Sequence, residues 1–188
     1  MHRPRPHLRL IVVALIAAAA LAATARAATD RATRLLAPSG FCRGGDRALE
    51  SAAVQMRAMS CLVAFVRAHA GLPPLHISWR LDQAANLKID ADLRCGQFSH
   101  TPCGASFLSV FSAAGYLRGG GWVTVGENLA LGHSPRQVMS MWLHSPEHLR
   151  NLLSRRWHDF GLGVRSRVDL QGLRGMTIWA NEFGVHTG

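Results

Sequence analysis

Four pieces of one stretch decide how this chain is read: VGENLALG at 125–132, SPRQVMSMW at 134–142, LHSPEHLRNLL at 143–153 and FGLGV at 160–164. Glu127 sits between Val125 and Leu129 in a run apolar enough to be buried. A buried carboxylate must find a partner or take up a proton. Ser145-Pro146 is a helix start, with serine as the cap and proline in the first turn. That places His148 in the first turn of a short helix. Phe160, Leu162 and Val164 alternate with Gly161, Gly163 and Arg165, the period of a strand. A further histidine, His100, is expected to join Glu127 and His148.

Upstream, Asp46 is expected to cap a helix to about Ala70, with Leu49, Ala53, Met56, Met59, Val63 and Val66 at helical spacing. Pro73 and Pro74 then forbid helix. Ser78 caps a second helix with Leu81, Ala85, Ile89 and Leu93 inward and Asp82, Lys88, Asp90 and Asp92 as its solvated face. The acids of that face lack the glycine and the terminal glutamate of a calcium loop. A third helix is expected from about Ala105 to Ala114, with Phe107, Val110 and Phe111 inward. Gly119 to Gly121 reads as a flexible turn, and no lysine follows it as a phosphate loop requires. A fourth helix starts at Ser134-Pro135 and carries Val138, Met141 and Trp142. Trp122 to Leu131 is partly extended, and a last strand covers Met176 to Phe183. Several helices with about three strands, not strictly alternating, argue an α+β layered domain with an antiparallel sheet.

The chain has 188 residues, 48% of them hydrophobic and 17% charged, which suits one globular domain with a real core. The first 27 residues read as a signal peptide. Arg3, Arg5 and Arg9 precede the uncharged run from Leu10 to Ala23, and Ala25-Arg26-Ala27 offers small residues at a cleavage site. The run falls short of the roughly 20 residues that span a bilayer. Residues 28–45 then read as a polar linker and residues 46–188 as the domain. Without Arg3, Arg5, Arg9 and Arg26, seventeen basic residues face eleven acidic ones, an excess of six. That excess suits an anionic surface such as cell wall or lipid headgroups. No basic run with interleaved aromatics points to nucleic acid.

Export makes the four cysteines, Cys42, Cys61, Cys95 and Cys103, a disulfide framework with three conceivable pairings. Pairing sequence neighbours gives Cys42–Cys61 and Cys95–Cys103, the second stapling the loop of His100. A Cys103–His100 catalytic pair is the weaker reading, because a partner cysteine is at hand.

The motifs CLVAFVRAHAGLPPL, the W and L of ISWRL, FSHT, GYL, VGENLALG, MWLHSPEHLRNLL, FGLGV and ANEFG together resemble the CAP superfamily (cysteine-rich secretory proteins, antigen 5 and pathogenesis-related-1 proteins), in its bacterial SCP-like branch. The resemblance covers roughly Cys42 to Gly184. It implies a three-layer α-β-α sandwich with a central cleft, in which His100, Glu127 and His148 match the family's cleft residues. It also supports the Cys42–Cys61 bond. Fuller members carry a second acid where this chain has Ser145. The glycine usual before the second histidine is Glu147 here, and the arginine usual after it is Leu149.

Two imidazoles and a carboxylate from three elements suit zinc or copper, with a fourth position left open. Without metal, Glu127 could orient one histidine while the other accepts a proton. Alternatively the three hydrogen-bond one another and tie helices to sheet. His144 and His148 are separated by Pro146 and do not share a helical face. Ser99 and Ser145 lack a nucleophile elbow. Three functions follow: a secreted binding module taking a lipid, peptide or cell-wall component; a metal-assisted extracellular hydrolase; or a structural envelope protein. Resemblance favours the first.

Overall fold

A computed structural model describes residues 29–119 and 121–187; the expected leader of residues 1–27 and the middle of the 119–121 glycine run lie outside them. Residues 29–34 belong to one unit and are helical, and the second unit begins at Leu35.

In that second unit the first helix, α1, spans Ala52–His69 and starts later than its apolar spacing suggests. Ser51 is the cap, its side chain accepting from the Val54 N–H at 3.4 Å. Asp46, the expected cap, instead accepts from the Gly40 N–H at 2.8 Å and lies 3.6 Å from Arg136. Leu49 has φ 58° and is 51% exposed, so it leaves the stripe. Met59, Leu62, Val63 and Val66 are buried. The residues just before α1 are tied to the domain by the Cys42–Cys61 disulfide and by bonds from Arg136 to the Ala37 and Gly45 carbonyls.

Strand β1 is only His76–Ile77, and α2 runs Trp79–Cys95 to a left-handed Gly96. A 3-10 turn, Pro102–Gly104, precedes α3, Ser109–Ala113, which is shorter than the expected third helix. Strand β2 is Trp122–Gly132, and α4 is Pro135–His144, capped by the Ser134 hydroxyl. Met141, expected inward, is 46% exposed, whereas Val138 and Trp142 are fully buried. Helix α5 is Pro146–Leu152, β3 is Asp159–Leu170 and β4 is Leu173–Thr187.

The sheet order is β1-β3-β4-β2. Strands β2, β4 and β3 are antiparallel, as expected, and β1 adds a fourth, parallel strand two residues long. After the two prolines, the His76 and Ser78 N–H groups donate to the His158 and Phe160 carbonyls, and β1 is held to β3 there.

Helix α2 packs on one face of β3 and β4. Glycine is required where they meet, because a Cβ on Gly161 would run into the Leu81 and Asp82 backbone and one on Gly163 would lie 2.8 Å from Ala85. Ala85, Ile89, Leu129, Ile178 and Ala180 fill this side of the core. On the other face α1 packs against α4 and β3, and α4 and α5 pack against β2. There a Cβ on Gly126 would lie 2.8 Å from Trp157, whose ring stacks on Phe183. The architecture is α+β, a sheet between two helical layers. Strand β2, which carries Glu127, forms one edge of the sheet.

Candidate functional site

Glu127 lies in the middle of β2. It pairs with Glu182 of β4, so both side chains leave the same face of the sheet. Gly161 pairs with Glu182 in turn, and Gly161 faces α2, so the two carboxyls point to the α2 layer. The loop after α2 brings His100 to the same place. Gly96 turns it, Cys95–Cys103 closes it, and the Gln97 side chain accepts from the Cys103 N–H at 2.7 Å. His100 Nδ1 then meets Glu127 Oε1 at 2.5 Å, with the histidine side chain 55% exposed and the glutamate side chain 1% exposed.

His148 comes from the opposite layer. Its helix is held to β2 by asparagines on the other side of the strand. The Asn128 side chain donates to the His148 carbonyl at 3.1 Å, and Asn151 donates to the Glu127 carbonyl at 3.0 Å and to Asn128 Oδ1 at 2.9 Å. The His148 ring stands 6.4 Å from the ring of Trp142, and among the described residues its nitrogens make no hydrogen bond. Of the two histidines, only His100 hydrogen-bonds Glu127, while His148 lies near enough to feel the charge of His100.

The electrostatics follow from this placement. The bond to Glu127 holds His100 above the ordinary histidine range, against partial burial. Burial, then the charge of His100, holds His148 below it, with Glu147 opposing. Glu182 is fully buried, and burial followed by the like charge of Glu127 pushes its carboxyl well up. Both Glu182 oxygens and Oε2 of Glu127 are buried without a hydrogen-bond partner.

Three members of this cluster escape the sequence reading. Lys88 and Asp92, expected on a solvated face, are 2% and 0% exposed. The Lys88 ammonium donates to Asp92 Oδ1 at 2.8 Å and also to the Ser99 carbonyl. Asp82, expected on that face too, is half-buried and accepts from the Leu162 N–H at 2.7 Å, while Asp90 is exposed and pairs with Arg165. Glu182 is the third missed member. It is an acid inside the apolar run WANEF, the same signal that marked Glu127.

The matching family model, described as the cysteine-rich secretory protein family (CAP), spans residues 62–179. This chain belongs to the CAP family. Two bacterial structures share the fold. An extracellular SCP-domain protein of Bacillus anthracis aligns over 70% of this chain at 22% identity and TM-score 0.57. An outer surface protein of Borrelia burgdorferi aligns over 71% at 20% identity and TM-score 0.59. This chain spans 40% of the Bacillus protein and 93% of the Borrelia one. A comparison with curated proteins returns no match.

Among the described residues no group of three or more His, Cys, Asp or Glu side chains is placed to hold a metal ion. Glu127 Oε1 is engaged by His100. Ser145, at the place of the second acid, bonds Glu147 at 3.1 Å. The backbone N–H of Glu147 and then that bond hold its exposed carboxyl below the usual range. The thiol reading is removed, because all four cysteines are in the two expected disulfides.

Proposed function

We propose that this CAP domain is a non-enzymatic binding module working outside the cell or in its envelope. Its cleft at the β2 edge receives the polar group of a lipid or cell-wall component. The observation that carries the reading is the His100–Glu127 pair. The carboxylate is sunk in the sheet and fixes the imidazole, while more than half of that imidazole stands in solvent. A buried acceptor that orients an exposed donor suits recognition of a ligand's hydrogen-bonding group. His148 stands beside it with unengaged ring nitrogens and extends the same polar edge. Among the described residues no cysteine is free and no group of three or more His, Cys, Asp or Glu side chains gathers as metal ligands, which favours this reading over metal-assisted hydrolysis. The extracellular setting is supported by the leader pattern and by the descriptions of the two bacterial neighbours.

The test is retention by purified cell-wall fragments and by lipid vesicles, compared between the unaltered chain and His100→Ala. Retention that falls at least tenfold in the variant supports the reading, and equal retention refutes it. Calorimetry with zinc belongs to the same experiment. Saturable micromolar binding abolished by His148→Ala would replace this reading with the metal one.

A further inference from the structure

Lys88 is the only lysine in the chain, and it is buried with Asp92 on the core side of α2. A buried ion pair is generally no more stabilising than apolar side chains of the same volume, because neither charge recovers its lost hydration in full. Stability alone therefore does not account for this pair. Its third partner does. The ammonium also donates to the Ser99 carbonyl, and that carbonyl belongs to the peptide joining Ser99 to His100.

Other restraints act on this loop as well, among them Phe98 packed against the core and the Ser99 backbone beside Asp92. Cys95–Cys103 and the Gln97 side chain close its two ends, and the Ser99 hydroxyl accepts from the Thr101 N–H at 3.1 Å. The His100 side chain is 55% exposed, and its ring meets Phe107 edge-on at 6.5 Å. Its 2.5 Å contact with Glu127 depends on where the backbone delivers the ring. The same ammonium supplies a positive charge among the buried carboxyls, acting on both Glu182 and His100.

We propose that Lys88 is a positioning residue of the cleft: its ammonium, braced by Asp92, grips the Ser99 carbonyl and so sets His100 against Glu127. The ammonium has three rotatable donors on a flexible stem, enough to serve the carboxylate and the carbonyl together. The proposal rests on the His100–Glu127 pair being the working edge of the cleft, and it does not depend on which ligand binds.

Two measurements on the full chain test it by nitrogen-15 NMR. As the only lysine, Lys88 gives a unique side-chain signal. Its ammonium protons are expected to exchange with solvent at least tenfold more slowly than those of free lysine, and free-lysine exchange overturns the proposal. The second measurement reads the ring nitrogens of His100 at pH 8, assigned with His100→Gln. In the unaltered chain the proton sits on Nδ1, facing Glu127. In the double variant Lys88→Met, Asp92→Leu, which removes both charges and keeps apolar volume, the domain stays folded and the proton moves to Nε2, the form free histidine prefers. A folded variant that keeps the proton on Nδ1 overturns the proposal. A variant that fails to fold overturns it too, since the pair is then a core element. A failed ligand screen sinks the binding reading without touching this spectrum, and an unchanged spectrum sinks this inference without touching ligand retention.

Discussion

Replacing Glu182 with glutamine is expected to stabilise the domain at pH 7 and to leave it nearly unchanged at pH 4.5. The side chain is 0% exposed, sits opposite Glu127 across the β2–β4 ladder, and has two oxygens without partners. Burial and then the Glu127 charge raise its carboxyl well above the ordinary value of 4.5. A carboxyl raised on folding contributes its full stability below the unfolded value and loses it as pH rises. While the folded domain keeps the proton, the cost grows with each pH step above 4.5 and reaches on the order of 3 kcal/mol by pH 7. Glutamine carries no such cost, and its amide can donate to the orphaned Oε2 of Glu127. The glutamine oxygen stays unpartnered, so the expected gain at pH 7 is about 1–3 kcal/mol. For a domain of this size that raises the melting temperature by about 2–4 °C per kcal/mol. The assay is thermal and urea unfolding of both chains from pH 4.5 to 7.5, read as their difference. The difference matters because the histidines contribute slopes of their own. His148, held low, loses stability as pH falls through its ordinary value of 6.5, whereas His100, held high, loses it as pH rises above that value. Both are present in each chain and cancel. A gain that does not change with pH, or a loss at pH 7, would refute the reasoning.

Other perturbations separate the parts of the site. Removing Cys95–Cys103 with two serines opens a loop of sequence separation 8 and is expected to cost about 2–3 kcal/mol in urea unfolding. Hydrogen exchange of the His100 loop should rise with it, and an unchanged unfolding midpoint would show that the bond does not form. Gly161→Ala drives a methyl into the Leu81–Asp82 backbone and is expected to cost at least about 1–3 kcal/mol by thermal melts, where a neutral result would mean that α2 can move away. His148→Ala removes a ring that makes no hydrogen bond among the described residues, so it is expected to cost under about 1 kcal/mol. A loss above about 2 kcal/mol would mean that the ring does structural work not visible in its contacts.

Several features were legible because their causes are local. Ser134 and Ser145, each followed by proline, start helices wherever they occur, and α4 and α5 begin there. The alternation at 160–164 makes a strand regardless of its neighbours in space. Cysteines close in sequence find each other first, and both pairs form. Glu127 in an apolar run had to have a partner, and His100 is that partner. Asp46 misled because capping chemistry alone does not say which of two acceptors, Asp46 or Ser51, the packed helix will use. Leu49 misled for the same reason, since its apolar character outlasts the helix that would have buried it.

What this chain determined by sequence alone is therefore its alphabet of elements, its two crosslinks, its CAP resemblance and the residues that must be satisfied when buried. The tertiary structure decided who satisfies them. Lys88 and Asp92 are charged and read as solvent-facing. They are buried because α2 turns that face to the loop bearing Ser99 and His100. Glu182 meets Glu127 because β2 and β4 align in one register out of many, and that register is set by packing on both faces of the sheet. The His148 helix is held to β2 by Asn128 and Asn151, a contact between segments some twenty residues apart in sequence. Caps, turns and periodicity act within a few residues and can be read there. Burial of a charge and the pairing of two strands depend on chain segments far apart in sequence, and only the packed fold brings them together.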